Sequence, residues 1–236
     1  SLNGDFVTRT EEGRSLGEFY GHVADGLFQS AAEVSSHATQ NAKTSPGDIR
    51  FKDINGDNGI NDADKTFIGN PIPDFVYGFN MSLNYDNFDF SIQGNGVQGN
   101  EIFNATNNRL LDNADSLNKL DFTPWSTSNT NTRFPRAVSD GPNDNLRHSS
   151  FFVEDGSFMR IKVIQLGYSF QEDLASKIGA KRARLYGSIQ NPFTFTSYSG
   201  VDPEVGNDGG SNLTSGIDNF VYPVSRIFTV GLNIQL

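Results

Sequence analysis

Cysteine is absent from this chain of 236 residues, which excludes disulfide bonds and thiolate metal sites. No segment approaches the roughly 18 consecutive apolar residues of a transmembrane helix. Without such helices a chain can cross a membrane only as a closed β-barrel, because a barrel leaves no backbone group unpaired in hydrocarbon. The first residues also lack the charged and apolar regions of a signal peptide, so we expect a processed chain or part of a longer one.

Positive charge is scarce as well. The chain has 18 Lys and Arg against 28 Asp and Glu, for a net charge of -10. This balance argues against a nucleic-acid partner, because phosphate binding needs clustered basic residues. The densest basic group is Lys177, Lys181, Arg182 and Arg184, which we interpret as a solvated turn.

Aromatic residues and glycine are abundant instead, with 20 Phe and 24 Gly. Between residues 74 and 97, apolar and polar positions alternate in two runs joined by Asp86 and Asn87, which predicts a β-hairpin. Each run has about the ten residues that a tilted strand needs to cross a bilayer, so we expect one face to meet lipid and the other a lumen. The expected lipid-facing residues are Phe79, Met81, Leu83, Phe90, Ile92, Leu232 and Ile234, and the expected lumen-facing residues are Asn80, Ser82, Gln93 and Asn233.

The same alternation predicts further strands, for a total of about six. They lie at residues 158–170, 184–195 and 228–236, with a weaker candidate at 16–28. Arg160 and Lys162 occupy apolar-parity positions of their strand, which predicts a bulge or a protrusion there. Pro192 removes a ladder donor, so we expect it near a rim where pairing ends.

The connections between these strands alternate in length. Long ones cover residues 29–73, 98–156 and 197–225, and short turns lie at 86–87 and 171–182. Long loops on one side and short turns on the other are typical of an outer-membrane barrel. The predicted fold is therefore all-β over residues 1–236, part of a transmembrane barrel with long extracellular loops. The alternative is an extracellular, calcium-stabilised β-sandwich that binds carbohydrate, in which the apolar faces pack together.

One long connection contains a candidate cation site. Residues 53–64 match the spacing of a calcium loop, with oxygen-bearing side chains at alternate positions and an apolar residue at position 8. Asn58 replaces the usual glycine and Asp64 the usual glutamate. Because the ligands are all protein oxygens, we expect Ca²⁺ in preference to Mg²⁺, in a structural role. The predicted ligands are Asp53, Asn55, Asp57, Asn61, Asp64 and the carbonyl of Gly59.

No catalytic constellation is visible. His22, His37 and His148 are isolated in the sequence, and we interpret each as a loop or rim residue. There is no nucleophile elbow, phosphate loop or metalloprotease helix, so we do not expect an enzyme.

Several strings, read together, resemble the C-terminal part of the SusC/RagA family of TonB-dependent outer-membrane transporters. They span nearly the whole chain in the family's order. The strings are Gly21 to Gln29, Gly47 to Asp64, Ile68 to Pro73, Val153 to Ile161, Gln190 to Thr196, Gly200 to Val205, and Tyr222-Pro223 followed by Thr229 to Leu232.

The resemblance implies a 22-stranded barrel with a plug in its lumen. It further implies import of oligosaccharides or peptides across the bacterial outer membrane, a SusD-like surface lipoprotein as a lid, and energy supplied by TonB through the plug. This chain would hold about the last quarter of the strands, without the plug or the segment that contacts TonB. The remainder of the barrel and the lipid bilayer are then further partners.

The long loops are expected to contact the lipoprotein and the cargo through aromatic anchors, because such residues carry most interface energy. Trp125, the only tryptophan, is expected to pack rather than to bind sugar directly. The candidate anchors are Trp125, Phe134, Phe151, Phe152 and Phe220.

Overall fold

The computed structural model describes residues 7–111, 123–138, 143–177, 179–206 and 212–236. The strands in this part of the chain are β1 Thr8–Arg9, β2 Glu18–His22, β3 Ala24–Leu27, β4 Ile49–Phe51, β5 Lys65–Gly69, β6 Phe75–Tyr85, β7 Phe88–Gln98, β8 Glu101–Phe103, β9 Val153–Asp155, β10 Phe158–Ser169, β11 Arg182–Thr196 and β12 Ile227–Gln235. The α-helices are α1 Ala31–Ser36, α2 Ala105–Leu110 and α3 Glu172–Ser176. None of the described helices has the length and apolarity to cross a membrane.

The chain divides into two compact units. One contains β1 to β5, β8, β9, α1 and α2, and the other contains β6, β7, β10 to β12 and α3. The strands of the second unit therefore alternate along the chain with the segments that build the first.

The second unit is a single antiparallel sheet in the order β12-β11-β10-β7-β6, so every strand pairs with its neighbour in sequence within the unit. This arrangement confirms the five strands that were predicted from alternating apolar and polar residues: the two of the hairpin and those at residues 158–170, 184–195 and 228–236. The predicted turn is also confirmed: Asp86, between β6 and β7, has φ 50°, a left-handed conformation that Asp tolerates in tight hairpins.

The weaker sixth strand candidate does not belong to this sheet. Residues 16–28 instead contain β2, which pairs with β1 and β5, and β3, which pairs with β4. Both faces of β2 are largely buried, and Phe19 is fully inaccessible. In contrast to the strands of the five-stranded sheet, β2 therefore has no exposed apolar face. The prediction of about six strands in one barrel sheet is wrong for this segment.

Cross-strand register places the apolar residues of the five strands on one face. Residues directly opposite each other in antiparallel strands share a face, so each paired row can be followed across the sheet. Two apolar rows are Met81, Ile92, Ile164, Ile189 and Phe228, and Tyr85, Phe88, Tyr168, Leu185 and Leu232. A polar row on the other face contains Ser82, Ser91, Gln165, Ser188 and Thr229. The predicted division of the residues into two faces is confirmed.

The predicted bulge lies in β10. Its register shifts between Ile161 and Val163 against both neighbouring strands, and Lys162 is the residue between them. The shift changes the parity, so Arg160 stands opposite Asn95 and Thr194 on the polar face. Arg160 therefore lies on the polar face, although simple alternation along the sequence would have placed it among the apolar residues.

Pro192 lies within the register shift opposite this bulge. Pairing of β11 with β12 ends at Gln190, whereas pairing with β10 resumes at Phe193. The expectation that pairing ends at the proline is therefore confirmed for β12. It is wrong for β10, because the bulge in β10 accommodates the missing backbone N–H of proline.

The first unit has two hydrophobic clusters built from distant parts of the chain. One contains Val7, Phe19, Phe103, Ala105, Phe152 and Ile217. The other contains Leu27, Ile49, Phe51, Ile60 and Trp125. The long connections predicted from sequence are thus packed together around common cores, within the described residues, rather than being separate loops.

Two glycines of the hairpin provide a test of the sheet's close packing. A Cβ at Gly94 would lie 2.8 Å from the backbone oxygen of Arg160 and 2.5 Å from Cζ of Phe79, whereas the nearest atom to a Cβ at Gly78 is 3.6 Å away. We expect Gly94→Ala to destabilise the sheet by about 1–3 kcal/mol, as overpacking does, and Gly78→Ala to be tolerated. Urea unfolding of the full-length protein in detergent, monitored by tyrosine and tryptophan fluorescence, measures the stability of both variants. Equal stability of the two variants would contradict this assignment of close packing.

Candidate functional site

The predicted cation loop lies in the first unit between β4 and β5, and all six predicted ligands are described. It ends in a short 3-10 helix, Asp62–Asp64. Asn61 caps this helix through its side chain, and the side chain of Asp64 bonds back to the backbone N–H of Asn61 at 2.9 Å. The reciprocal pair is a capping box, which fixes the end of the loop.

Side-chain acceptors fold the first half of the loop. The carboxylate of Asp53 accepts the backbone N–H groups of Gly56 and Asn58 at 2.7 and 2.9 Å. Asn55 Oδ1 accepts from the N–H of Asp57 at 2.9 Å, in the same kind of local turn. Asn58 stands where glycine is usual in such loops, and its φ of 65° shows that it adopts the left-handed conformation.

Asp64 closes the loop from inside the protein. Its side chain is fully buried, and its Oδ1 accepts the N–H of Ile54 at 2.9 Å while Oδ2 accepts that of Asn61. Burial alone would raise the pKa of Asp64, but hydrogen bonds from the backbone of Asn61, Ile54 and Asn55 outweigh burial and hold the pKa below its ordinary value. The carboxylate therefore stays ionised and joins the two ends of the loop.

The donor chemistry of the loop suits a hard cation, since every polar side chain at the predicted positions carries oxygen. Neighbouring ligands touch: Asn55 Nδ2 donates to Asp57 Oδ2 at 2.9 Å, and Asn61 Nδ2 donates to the carbonyl of Gly59 at 3.2 Å. Within the described residues, no group of three or more His, Asp or Glu side chains converges on one metal position. A cation here would depend on amide and carbonyl oxygens as well as on carboxylates.

Two of the three histidines are not isolated loop or rim residues, contrary to the sequence interpretation. His22 lies on β2 and His148 precedes β9; both are buried, and the backbone N–H of His22 donates to the carbonyl of His148 at 2.9 Å. They were missed because 125 intervening residues separate them and only the fold brings them together. His37 ends α1, where its ring packs edge-on against Phe28 at 5.2 Å.

A buried carboxylate at Asp48 organises the neighbouring part of the first unit. It is fully inaccessible and accepts hydrogen bonds from Arg136 Nε at 2.7 Å and from Nδ2 of Asn143 and Asn145 at 2.6 and 3.2 Å. The N–H of Ser45 is a further donor at 2.8 Å. Asp48 belongs to the string that begins at Gly47, but nothing in that string indicated its distant partners.

The aromatic residues proposed as partner anchors separate into two groups. Trp125 and Phe152 are 8% and 1% exposed, and both belong to the hydrophobic clusters of the first unit, so the structure contradicts their role as exposed anchors. The expectation that Trp125 packs is confirmed; its Nε1 donates to Gln29 Oε1 at 3.1 Å. Phe220 is 47% exposed and remains a candidate, whereas Phe134 and Phe151 are half-buried.

In the second unit, three of the strings noted in the sequence meet on the polar face of the sheet. Arg160 is 1% exposed; its Nε donates to Thr194 Oγ1 at 2.9 Å and its Nη2 to Asp202 Oδ1 at 2.6 Å. Asp202 Oδ2 accepts the N–H of Val224 at 3.2 Å. The buried ion pair therefore holds residues 200–203 and the approach to β12 against β10 and β11.

Comparison with known proteins gives consistent results. No family model matches the chain. It is 38% identical over its whole length to TonB-dependent receptor P3 of Formosa agariphila and covers 24% of that protein. It is 29% identical over 98% of its length to TonB-dependent receptor SusC of Bacteroides thetaiotaomicron, of which it covers 21%. The chain thus spans about a quarter of the length of the curated relatives it matches.

Among solved structures, the chain is similar to the RagAB peptide importer in its open-open state. The TM-score is 0.70 at 20% identity, over 99% of this chain and 24% of that one. The closed-closed state gives a TM-score of 0.71 at 19% identity, over 98% of this chain. These similarities show that the fold is shared.

The Asp48 cluster leads to a stability prediction. Asp48→Ala would leave Arg136 and two amide side chains without their acceptor, so we expect the first unit to lose about 3–5 kcal/mol, as when a buried ion pair is broken. Asp25→Ala is the matched control, because the ion pair of Asp25 with Arg50 is exposed and spans 3.4 Å. Hydrogen exchange of the full-length protein should show lost protection at residues 45–51 in the first variant alone. Unchanged protection there would contradict the assigned role of Asp48.

Proposed function

Because the chain belongs to the SusC/RagA family of TonB-dependent receptors, we propose that it forms part of an outer-membrane importer of nutrients. The observation that carries the proposal is the five-stranded sheet, with one continuous apolar face and one largely polar face. The apolar face is lipid-facing and the polar face lines the lumen through which cargo passes. The chain supplies binding surfaces and a wall, and no bond-making chemistry.

Exposure supports the membrane part of the proposal. Leu83, Leu166 and Leu232 are each more than half exposed, and Val230 is 80% exposed. Water-soluble proteins rarely expose a contiguous apolar surface of this extent. The alternative, a calcium-stabilised β-sandwich that binds carbohydrate, would bury such a face against a second sheet, and this face is open.

The edges of the sheet support a larger barrel. Within the described residues, β6 pairs only with β7 and β12 only with β11. In hydrocarbon each unpaired backbone group costs several kcal/mol, so both edges require further strands. We propose that the remainder of the barrel supplies them, together with the plug through which TonB acts.

The partner and the cargo follow from the first unit and the relatives. The relatives include SusC, and the solved neighbour is described as a peptide importer. We propose that the first unit faces the exterior, contacts a SusD-like lipoprotein lid and meets oligosaccharide or peptide cargo. A packed unit with exposed aromatic residues suits this role, because a preorganised surface loses little entropy on binding.

We further propose that the loop of residues 53–64 binds one structural divalent cation, Ca²⁺ in preference to Mg²⁺. Asp53, Asn55, Asp57, Asn61, Asp64 and the carbonyl of Gly59 would hold it. The support is the oxygen-only ligand set and the turn geometry of the loop. Bound, the ion would neutralise acidic side chains and fix the loop.

The membrane orientation is tested by two adjacent residues of β12. Leu232→Arg should cost about 2–4 kcal/mol if the residue lies near the bilayer midplane, because arginine is then forced into lipid. Asn233→Arg is the matched control and should assemble normally, since its side chain faces the opposite side. Heat-modifiable migration of the full-length protein from outer membranes measures assembly. The opposite ranking would show that the two faces are assigned the wrong way round.

The cation is tested by chelation and elemental analysis. We expect the purified full-length protein to contain about one calcium ion, and chelation to increase hydrogen exchange at residues 53–64 while β6 and β7 stay protected. Asp57→Ala should reduce calcium content, whereas Asp25→Ala should not. A native loop in metal-free protein would refute the site.

Lipoprotein docking is tested with exposed residues on different connections. Phe220 and Leu174 are 47% and 48% exposed, but Leu174 lies on α3 in a short turn, which we assign to the periplasmic side. We expect Phe220→Ala to weaken co-purification of the lipoprotein about tenfold and Leu174→Ala to leave it unchanged. Equal pairing in both variants would exclude Phe220 as an anchor. Undiminished cargo uptake after removal of the lipoprotein would contradict the lid itself.

A further inference from the structure

A cavity of about 450 Å³ lies in the first unit beside the cation loop. Its wall is formed by the last part of that loop together with residues from β2, β5 and the segment before β9. The lining residues are His22, Ile60, Asn61, Asp62, Lys65, Arg147 and His148. The size is within the range of small-molecule sites, and none of the functions proposed above uses it.

Two cationic side chains, Lys65 and Arg147, lie in the polar part of the wall. Arg147 is held in place by Asp144 Oδ2 at 2.7 Å and by the carbonyl of Ile60 at 3.2 Å, so its guanidinium is ordered before any ligand arrives. The ammonium of Lys65 lies 2.9 Å from Asp62 Oδ1. Among the described residues that line the wall, Asp62 is the one acidic residue, and its side chain is 90% exposed.

His22 is the unusual member of the wall. Its side chain is only 2% exposed, and its Nδ1 has no hydrogen-bond partner among the described residues. A buried polar atom without a partner carries a desolvation cost, and this atom is too deeply buried for a ligand in the cavity to reach it. Burial, followed by the charges of Arg147 and Lys65, lowers the pKa of His22 to about 4, so the imidazole is neutral at physiological pH.

We propose that this cavity binds a small oxyanion group, a carboxylate or a phosphate, through Lys65 and Arg147. The guanidinium and the ammonium supply charge-assisted donors. A cation is disfavoured, because the charges of Lys65 and Arg147 would repel it. A divalent ion in the neighbouring loop would add to the attraction for an anion.

The site is independent of nutrient import, so its test uses the full-length protein without cargo or lipoprotein. Calorimetric titration with inorganic phosphate and with acetate distinguishes the two anion classes, and glycerol is the neutral comparison. We expect saturable binding of at least one anion and none of glycerol. Hydrogen exchange should slow at residues 18–22 and 60–65 in the presence of the bound anion.

Matched variants locate the binding. Lys65→Met and Arg147→Met should each weaken it about tenfold, the effect of losing one strong hydrogen bond. Lys52→Met is the control, because Lys52 is exposed and does not line the cavity. Equal affinity in the Lys65 and Lys52 variants, or no saturable binding by either anion, would overturn the proposal and leave the cavity as a water-filled space. If a variant loses protection throughout the first unit, the other carries the comparison.

Discussion

The backbone pairing of five antiparallel strands is the constraint on which the second unit depends. Once Met81 stands opposite Ile92 and Ile92 opposite Ile164, alternation assigns a face to each side chain of β6 and β7 and of β10 from Val163 onward. A slip of one residue would exchange the aliphatic and aromatic rows for Ser, Asn and Gln. The register therefore determines both the surface that can meet lipid and the surface that can meet water.

The bulge at Lys162 allows a buried ion pair to form while β10 stays paired before and after the bulge. Without the bulge, Arg160 would share the face of Ile164, where a guanidinium has no partner. With it, Arg160 reaches Thr194 and Asp202 on the polar face. Removing either partner of such a pair would leave a buried charge, which is costly in a medium of low polarity. The bulge therefore makes it possible for Arg160 to bind Asp202 and hold residues 200–203 against the sheet.

Local patterns in the sequence were sufficient for the five strands of the sheet. Period-two alternation identifies the five strands because one side of each is mostly apolar, with Arg160 and Lys162 as the exceptions that predicted the bulge. The same reasoning failed where distant residues meet. Asp48 is hydrogen-bonded to Arg136 and Asn143, and His22 to His148, but these residues are brought together only when the chain folds. Trp125 and Phe152 were misjudged as exposed anchors for the same reason, since burial is a property of the assembled core.

The packing of the long connections changes how their role is understood. Separate loops would have to be ordered when a partner or cargo binds, at a cost in conformational entropy for each residue fixed. In the first unit that ordering has already occurred, through two hydrophobic clusters and through carboxylates such as Asp48 and Asp64 that are surrounded by N–H donors. Exposed residues such as Phe220 are therefore presented from a preorganised support. A unit of this kind can contribute affinity without first being folded by a partner, which suits the docking role proposed for it.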